Sequence, residues 1–201
     1  MTYDELSNNY WKYYKMLEEK FVESLKYVEL DSENYDTYSI DFANQLNSIG
    51  SELDVFFKVV SKFKLDDRKT IADYYDEINK FYPNIKNQEI VICDKRNIKI
   101  KPFELWNGEC TAQSLEWWVA YNNIKHGRVI NMRDANLKNV LNILGALFIL
   151  EMYLFKDIHD NLSGESKCLD VPEEGSKLFV LLNWKTRWYS GNFIYEDESI
   201  E

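Results

Sequence analysis

The sequence predicts a mainly α protein: an antiparallel bundle of four to five helices with a small β-hairpin or sheet element. Three observations predict it. Apolar residues recur at three- and four-residue steps over long stretches, the period of a helix with one buried face. Seven glycines and three prolines are few for 201 residues, which disfavours a turn-rich β fold. β-branched residues gather in two short runs near residues 89–101, beside turn-forming side chains.

The elements follow in order. Leu6, Tyr10, Tyr13, Leu17, Phe21, Ser24 and Val28 mark one helix through the first thirty residues, ended by the polar break Asp31–Asp36. A second helix spans about Asp41–Phe63, with Phe42, Leu46, Ile49, Leu53, Phe56, Val60 and Phe63 on one stripe. That spacing suits packing against a long antiparallel partner, although Gly50 interrupts it. A shorter helix covers roughly Arg68–Phe81 and stops before Pro83. Glu89–Cys93 and Ile98–Lys101 read as a hairpin around the polar loop Asp94–Asn97, and Asn107-Gly108 reads as a turn. Thr111 or Ser114 is the expected cap of the next helix, and Gly127 its expected breaker. Asp134 is the expected cap of a final helix over Ala135–Asp157, apolar on most sides and therefore central. A solvated loop, Asn161–Ser176, leads to short strands at Lys177–Asn183 and Asn192–Tyr195 that can join the hairpin in one sheet. The organisation is one domain over residues 1–201, with a β insertion near 88–102 and a short β-rich C-terminal extension near 176–196.

Bulk composition excludes several classes. A net charge of −10 repels nucleic acid and anionic membranes, so contact with RNA must rest on a local patch. Cys93, Cys110 and Cys168 are odd in number, far apart and without CxxC spacing, which predicts a reducing compartment and no disulfide framework. The most apolar run, Ile143–Leu150, is far short of a membrane span, and Met1–Glu5 is too polar to open a signal peptide. A cytoplasmic protein without membrane contact is expected. No P-loop, dinucleotide fingerprint, zinc motif or nucleophile elbow is present, so neither cofactor nor metal is expected. The cluster Asp157, His159 and Asp160 is a poor metal site by its ligand types.

Chemistry concentrates in the run Trp117–Arg128, which carries one of the two histidines. On a helix, Leu115, Val119, Asn122 and His126 share one face, and Trp117, Tyr121, Ile124 and Arg128 form a second row. Residues 121–150 hold Lys125, Arg128, Arg133 and Lys138 against Asp134 alone, a local excess of three positive charges. Histidine is the side chain that moves protons near neutral pH, so His126 is the candidate general acid or base, with Asn122 orienting it and Arg128 stabilising charge. Lys125, Arg133 and Tyr121 are the candidate substrate or phosphate contacts, aided by the N–H groups that open the Asp134 helix. The plainer reading of Asn122 and His126 is a satisfied polar pair that fixes helix register. Trp11, Tyr13, Tyr14, Trp117, Trp118 and Tyr121 can stack bases, but their spacing equally suits a core, with Trp117 or Trp118 as an interface anchor. Lys95, Arg96, Lys99 and Lys101 extend a basic surface, or protect a strand edge.

The run Trp118-Val119-Ala120-Tyr121-Asn122-Asn123-Ile124-Lys125-His126-Gly127-Arg128, followed by Ala135-Asn136-Leu137 and an apolar helix, resembles the YNxxKHxR…AN signature of HEPN-like bacterial helical proteins. The resemblance covers about residues 111–157. It implies an antiparallel bundle, often a homodimer, among metal-independent ribonucleases of toxin–antitoxin and phage-defence systems and non-catalytic RNA-, nucleotide- or protein-binding modules. An RNA or nucleotide, or an antitoxin or other protein, is the implied partner. Catalytic members carry an arginine ahead of the histidine with four to six residues between them. Tyr121, Ala120 and Val119 occupy those positions here. What carries over is His126, with Asn122 as a polar substitute and Arg128 or Lys125 as charge stabilisers.

Overall fold

The computed structural model describes residues 1–107, 114–163, 169–170, 175–182, 184, 186–190 and 193–197. The expected cap Thr111, together with Cys110 and Cys168, lies outside them. So do the side chains of Arg96 and of residues 161–163, 169–170, 186–190 and 193–197.

The N-terminal helix is not uniform. Thr2 and Glu5 form a capping box that opens α1 (Tyr3–Leu6). The chain then widens into a π-helical segment, Ser7–Trp11, before resuming as α2 (Lys12–Ser24). It ends short of the expected Val28. The Ser24 hydroxyl bonds back to the Lys20 carbonyl at 3.2 Å and reaches the Asp41 carboxylate at 2.9 Å, tying the helix end to the next element.

Helix α3 (Ile40–Val60) is capped by Ser39, whose hydroxyl accepts from the Phe42 N–H at 3.0 Å. Its predicted stripe is buried from Phe42 to Val60. Phe63 lies beyond the helix, because Lys62 adopts φ 59°, a left-handed turn that stops it. Gly50 has a packing reason. A Cβ built there would lie 2.3 Å from the Tyr121 ring, so only glycine lets the helix that carries Tyr121 approach this closely. Helix α4 (Ile71–Phe81) starts at a Thr70–Asp73 capping box, three residues after the expected Arg68.

The hairpin is tighter than predicted. Strand β1 (Ile90–Ile92) pairs with β2 (Lys95–Ile100) in antiparallel register, with an irregularity between Val91 and Ile92. The second strand therefore takes up residues expected in the loop. Strand β4 (Phe179–Leu181) pairs with the other edge of β1, giving the order β2-β1-β4, so the C-terminal segment does join the hairpin. The remaining strands form a separate sheet: β3 (Leu169–Asp170) runs parallel to β5 (Thr186–Ser190), which pairs antiparallel with β6 (Phe193–Asp197).

Helix α5 (Glu116–Gly127) follows Leu115, which occupies the N-cap position without a side-chain bond, so Ser114 is not the cap. Gly127 is the last helical residue, and Arg128 after it is right-handed at φ −49°, so no left-handed glycine cap is used. A 3-10 turn, Met132–Asp134, precedes α6 (Leu137–Ser163). The cap of α6 is Asn136, not Asp134: its Oδ1 accepts from the Asn139 N–H at 2.9 Å. An isolated bridge between Tyr38 and Asn136 fixes that start against the loop before α3. Helix α6 is the hub of the core, with Val140–Leu141, Ile143–Leu144, Ala146–Leu147 and Ile149–Leu150 buried on several faces. By length and composition its Leu137–Asp160 stretch is long and apolar enough to cross a membrane, but 78% of the apolar window is buried inside the fold, as in a core helix. A Gly145 Cβ would stand 2.8 Å from Ile90, so the hairpin lies close on this helix.

Candidate functional site

Two faces of α5 divide the candidate residues. The buried face of α5 carries Trp117, Trp118, Ala120, Tyr121 and Ile124; in the other row Leu115, just ahead of the helix, is buried, Val119 and Asn122 are half-buried and His126 is exposed. Bulk decides this. Trp117 donates from Nε1 to the Pro102 carbonyl at 2.8 Å, and the Trp118 ring meets Phe57 edge-on at 5.7 Å. Both indoles are enclosed, at 3% and 8% exposure, which removes them as dimer anchors. Trp11 and Tyr14 are buried as well, so of the six aromatics considered as base platforms only Tyr13 is exposed.

Tyr121 is 3% exposed and cannot contact a substrate with its ring. Its hydroxyl accepts a hydrogen bond from Lys125 Nζ at 3.0 Å, and the ammonium also lies 5.1 Å from the ring centroid. That hydroxyl holds the Lys125 ammonium above the usual lysine range, against partial desolvation. Asn122 does not orient His126. Its Nδ2 donates to the Trp118 carbonyl one turn back, at 2.8 Å. The expected polar pair is therefore absent, in both its catalytic and its structural versions.

The turn itself is held from within. Asn123 donates to the Asp134 carboxylate at 2.7 Å, and Asn131 donates to the Asn123 carbonyl at 3.2 Å. Asn139 donates to the Asp134 carbonyl at 2.9 Å, and Asn136 to the Arg133 carbonyl at 3.1 Å. This asparagine-rich clamp closes residues 123–139 into a fixed knuckle. Lys125, His126, Arg128 and Arg133 are all exposed on it. The side chains of His126, Arg128 and Arg133 make no hydrogen bond or ion pair with the described residues. Val129 and Ile130, at 90% and 86% exposure, form an apolar tip between the two arginines. Sequence periodicity did not single out this pair, because it lies past the helix end.

The amide groups that open α6 are not available to a phosphate. The Leu137 and Lys138 N–H groups donate to the Thr37 and Tyr35 carbonyls at 3.0 and 3.1 Å, and Asn136 takes the next one. Lys138 also turns away from the knuckle, pairing with Glu116 at 2.5 Å. Near that pair a cleft of about 180 Å³ opens between Lys101, Glu104, Ser114, Trp117 and Asn142, at the opposite end of α5 from His126. The basic strand is largely neutralised: Lys95 pairs with Glu29, and Lys99 and Lys101 both reach Glu89. Among the described residues no group of three His, Cys, Asp or Glu side chains is placed to hold a metal. Asp157 instead accepts from the Tyr82 hydroxyl, and Asp160 pairs with Lys156 at 2.6 Å.

Comparison of the chain with known protein families, curated proteins and solved structures finds no match.

Proposed function

We propose that this chain is a HEPN-like, cytoplasmic helical module that binds RNA through the phosphate backbone, using the knuckle between α5 and α6. The observation that carries the reading is the set Lys125, His126, Arg128 and Arg133, exposed around one clamped turn of a chain with net charge −10. Lys125 sits in the last turn of α5, where positive charge also complements the helix dipole, so the helix end stabilises its own cation. Arg128 and Arg133 have no such structural partner, and they weigh most for a ligand. The aromatic side chains of α5 are buried behind these exposed cations, which favours contacts to phosphates over bases stacked on that helix.

A catalytic version would use His126 as general acid or base in attack by a ribose 2′-hydroxyl, with Arg128 and Lys125 facing the phosphorane charge. His126 is accessible, which favours it, but Asn122 does not orient it. Binding is the better supported reading. The test is incubation of the purified protein with mixed RNA in EDTA, alongside His126→Ala, and binding measured against salt. Binding is expected to weaken with salt, and Arg128→Ala and Arg133→Ala should each lower the salt slope by about one. EDTA-resistant cleavage that disappears in His126→Ala would establish the catalytic version. No RNA binding at low salt would refute the proposal.

A further inference from the structure

Glu151 stands in the middle of α6 with 0% exposure. Neither of its carboxyl oxygens has a hydrogen-bond partner among the described residues. Native proteins rarely leave a buried polar group in this state, and a buried carboxylate without a counter-ion is among the costliest cases.

Its place in the fold gives the feature a consequence. Phe148, Glu151 and Phe155 are spaced to share one face of α6, and the N-terminal helical arm covers that face. The Trp11 ring lies 6.3 Å from Phe148 and 5.8 Å from Phe155, Tyr14 lies 5.8 Å from Phe148, and Tyr3 lies 5.3 Å from Phe155. The carboxyl group is thus roofed by the arm, between its aromatic anchors. The arm carries the π-helical segment Ser7–Trp11 at this point. Such widened turns concentrate at functional positions in helices.

The charges around Glu151 offer no relief. From α3 comes Glu52, a second carboxyl that opposes ionisation. From the π segment comes Tyr10, whose ring packs 5.3 Å from Phe56, one turn beyond Glu52 on α3. From α2 comes Tyr14, whose hydroxyl donates to Glu18 at 2.9 Å, and Glu18 already has Lys15 at 3.1 Å. Strand β4 brings Phe179, Val180 and Leu181, which do not titrate. Glu116 of α5 is paired with Lys138 of α6, between three and four turns from Glu151 along α6. No lysine, arginine or histidine among the described residues contributes to holding Glu151 charged.

We propose that the arm Tyr3–Ser24 is a proton-latched lid: it lies closed on α6 while Glu151 carries its proton, and lifts when that proton passes to solvent. Burial, then the Glu52 charge, places the closed-state carboxyl well above the ordinary carboxyl range. An arm that has lifted exposes Glu151 to water and returns it to that range. The sign follows from proton counting. The closed form binds one more proton than the open form, so opening becomes easier as pH rises between the two values, by up to tenfold per pH unit.

The test is amide hydrogen exchange of the arm between pH 6 and pH 9, in wild type and in Glu151→Gln, which mimics the protonated acid. Intrinsic exchange is identical in both chains and cancels in the ratio. The wild-type to variant ratio for residues 3–24 should climb by up to tenfold per pH unit, while the ratio for α4 stays level. A ratio that stays level in the arm as well overturns the proposal. Should Glu151→Gln fail to fold, Glu52→Gln and a carbon-13 titration of the wild-type Glu151 carboxyl decide the matter. Removing the neighbouring charge lowers the closed-state value, so the rise in opening must level off at a lower pH and a smaller maximum. A Glu151 carboxyl that is ionised at pH 6 in the closed protein overturns the proposal equally. A level ratio leaves RNA binding at the knuckle unaffected, so the two readings fail separately.

Discussion

Replacing Gly50 by alanine tests the close approach of α5 to α3. In an isolated helix this change is favourable by about 0.8–1.0 kcal/mol, because alanine is the better helix former. Here the new methyl would stand 2.3, 2.5 and 2.7 Å from three Tyr121 ring carbons, distances real Cβ atoms do not adopt. The ring has little room to yield. It is 3% exposed, it packs 5.4 Å from the Trp118 ring, and its hydroxyl is held by Lys125. Overpacking of this kind costs about 1–3 kcal/mol, and so severe a clash belongs at the upper end. After the propensity gain, Gly50→Ala should destabilise the fold by about 1–2 kcal/mol. In a chain of this length that lowers Tm by roughly 2–4 °C for each kcal/mol.

The decisive measurement is a double-mutant cycle in urea. With Tyr121→Ala every obstructing carbon is gone, and Gly50→Ala should then stabilise by about 1 kcal/mol. The sign of the alanine effect must invert, with a coupling of about 2–3 kcal/mol between the two positions. If Gly50→Ala stabilises the wild-type background, α5 does not lie on α3 as described, and the clamped knuckle beyond Tyr121 loses its support.

Asn136→Ala should cost about 1 kcal/mol in chemical unfolding, the worth of a good N-cap, and an equal loss with no change in α6 helicity would reject Asn136 as the cap. Glu18→Ala should cost about 3 kcal/mol, because Glu18 accepts from Tyr14 at 2.9 Å, from Ser176, and from the Lys177 and Leu178 N–H groups at 3.1 Å each. Faster hydrogen exchange should then appear at residues 176–181, and unchanged protection there would contradict the tether. Acid should loosen α4 first: hydrogen bonds from Thr70 hold Asp73 below the usual carboxylate range, so that support exists above the unfolded value and disappears as pH falls through the folded one. Asp73→Asn should flatten the acid side of the stability curve, as read by circular dichroism. Val129→Ser with Ile130→Ser should leave Tm within about 1 °C, since exposed residues contribute little to folding; a larger drop would mean the tip is packed.

How much of this was legible in the sequence depends on whether the deciding interaction was local. The α3 stripe was legible because its period needs only a core on one side, and the mainly α architecture with a hairpin follows from that kind of pattern. The start of α4 was legible in kind, since Thr70 and Asp73 sit at capping-box spacing. The cap of α6 was not. Asp134 and Asn136 are both good N-cap residues, and the choice is made by a bridge from Tyr38, almost a hundred positions away. The orientation of α5 was lost for a similar reason. Two rows of the helix carried apolar residues, and what selects Trp117, Tyr121 and Ile124 is the space left by Gly50 in another helix. That glycine was the available signal: a glycine inside a long apolar helix marks a partner that comes unusually close. The exposure of His126 and Arg128 was readable from their place at a helix end, whereas the role of Asn122 was not, because a side-chain amide can bond the helix carbonyl one turn back, a competitor that no spacing rule reveals.

Glu151 shows where sequence patterning misleads about energetics. As the first charged residue after Ile143–Leu150 it marks the edge of an apolar run, and an edge suggests solvent. The helix nevertheless continues to Ser163, and the arm lies across the face where Glu151 falls. A glutamate costs far less there while it is uncharged than when it is ionised, so the same position is a tolerated core residue in one protonation state and a destabilising charge in the other. The knuckle is the converse case. Its cations cluster where a helix ends and water is plentiful, so their charge costs the fold almost nothing in any state. The molecule therefore separates its two ionisable features by solvation. One is available to a ligand without disturbing the core, and the other is able to disturb the core without any ligand.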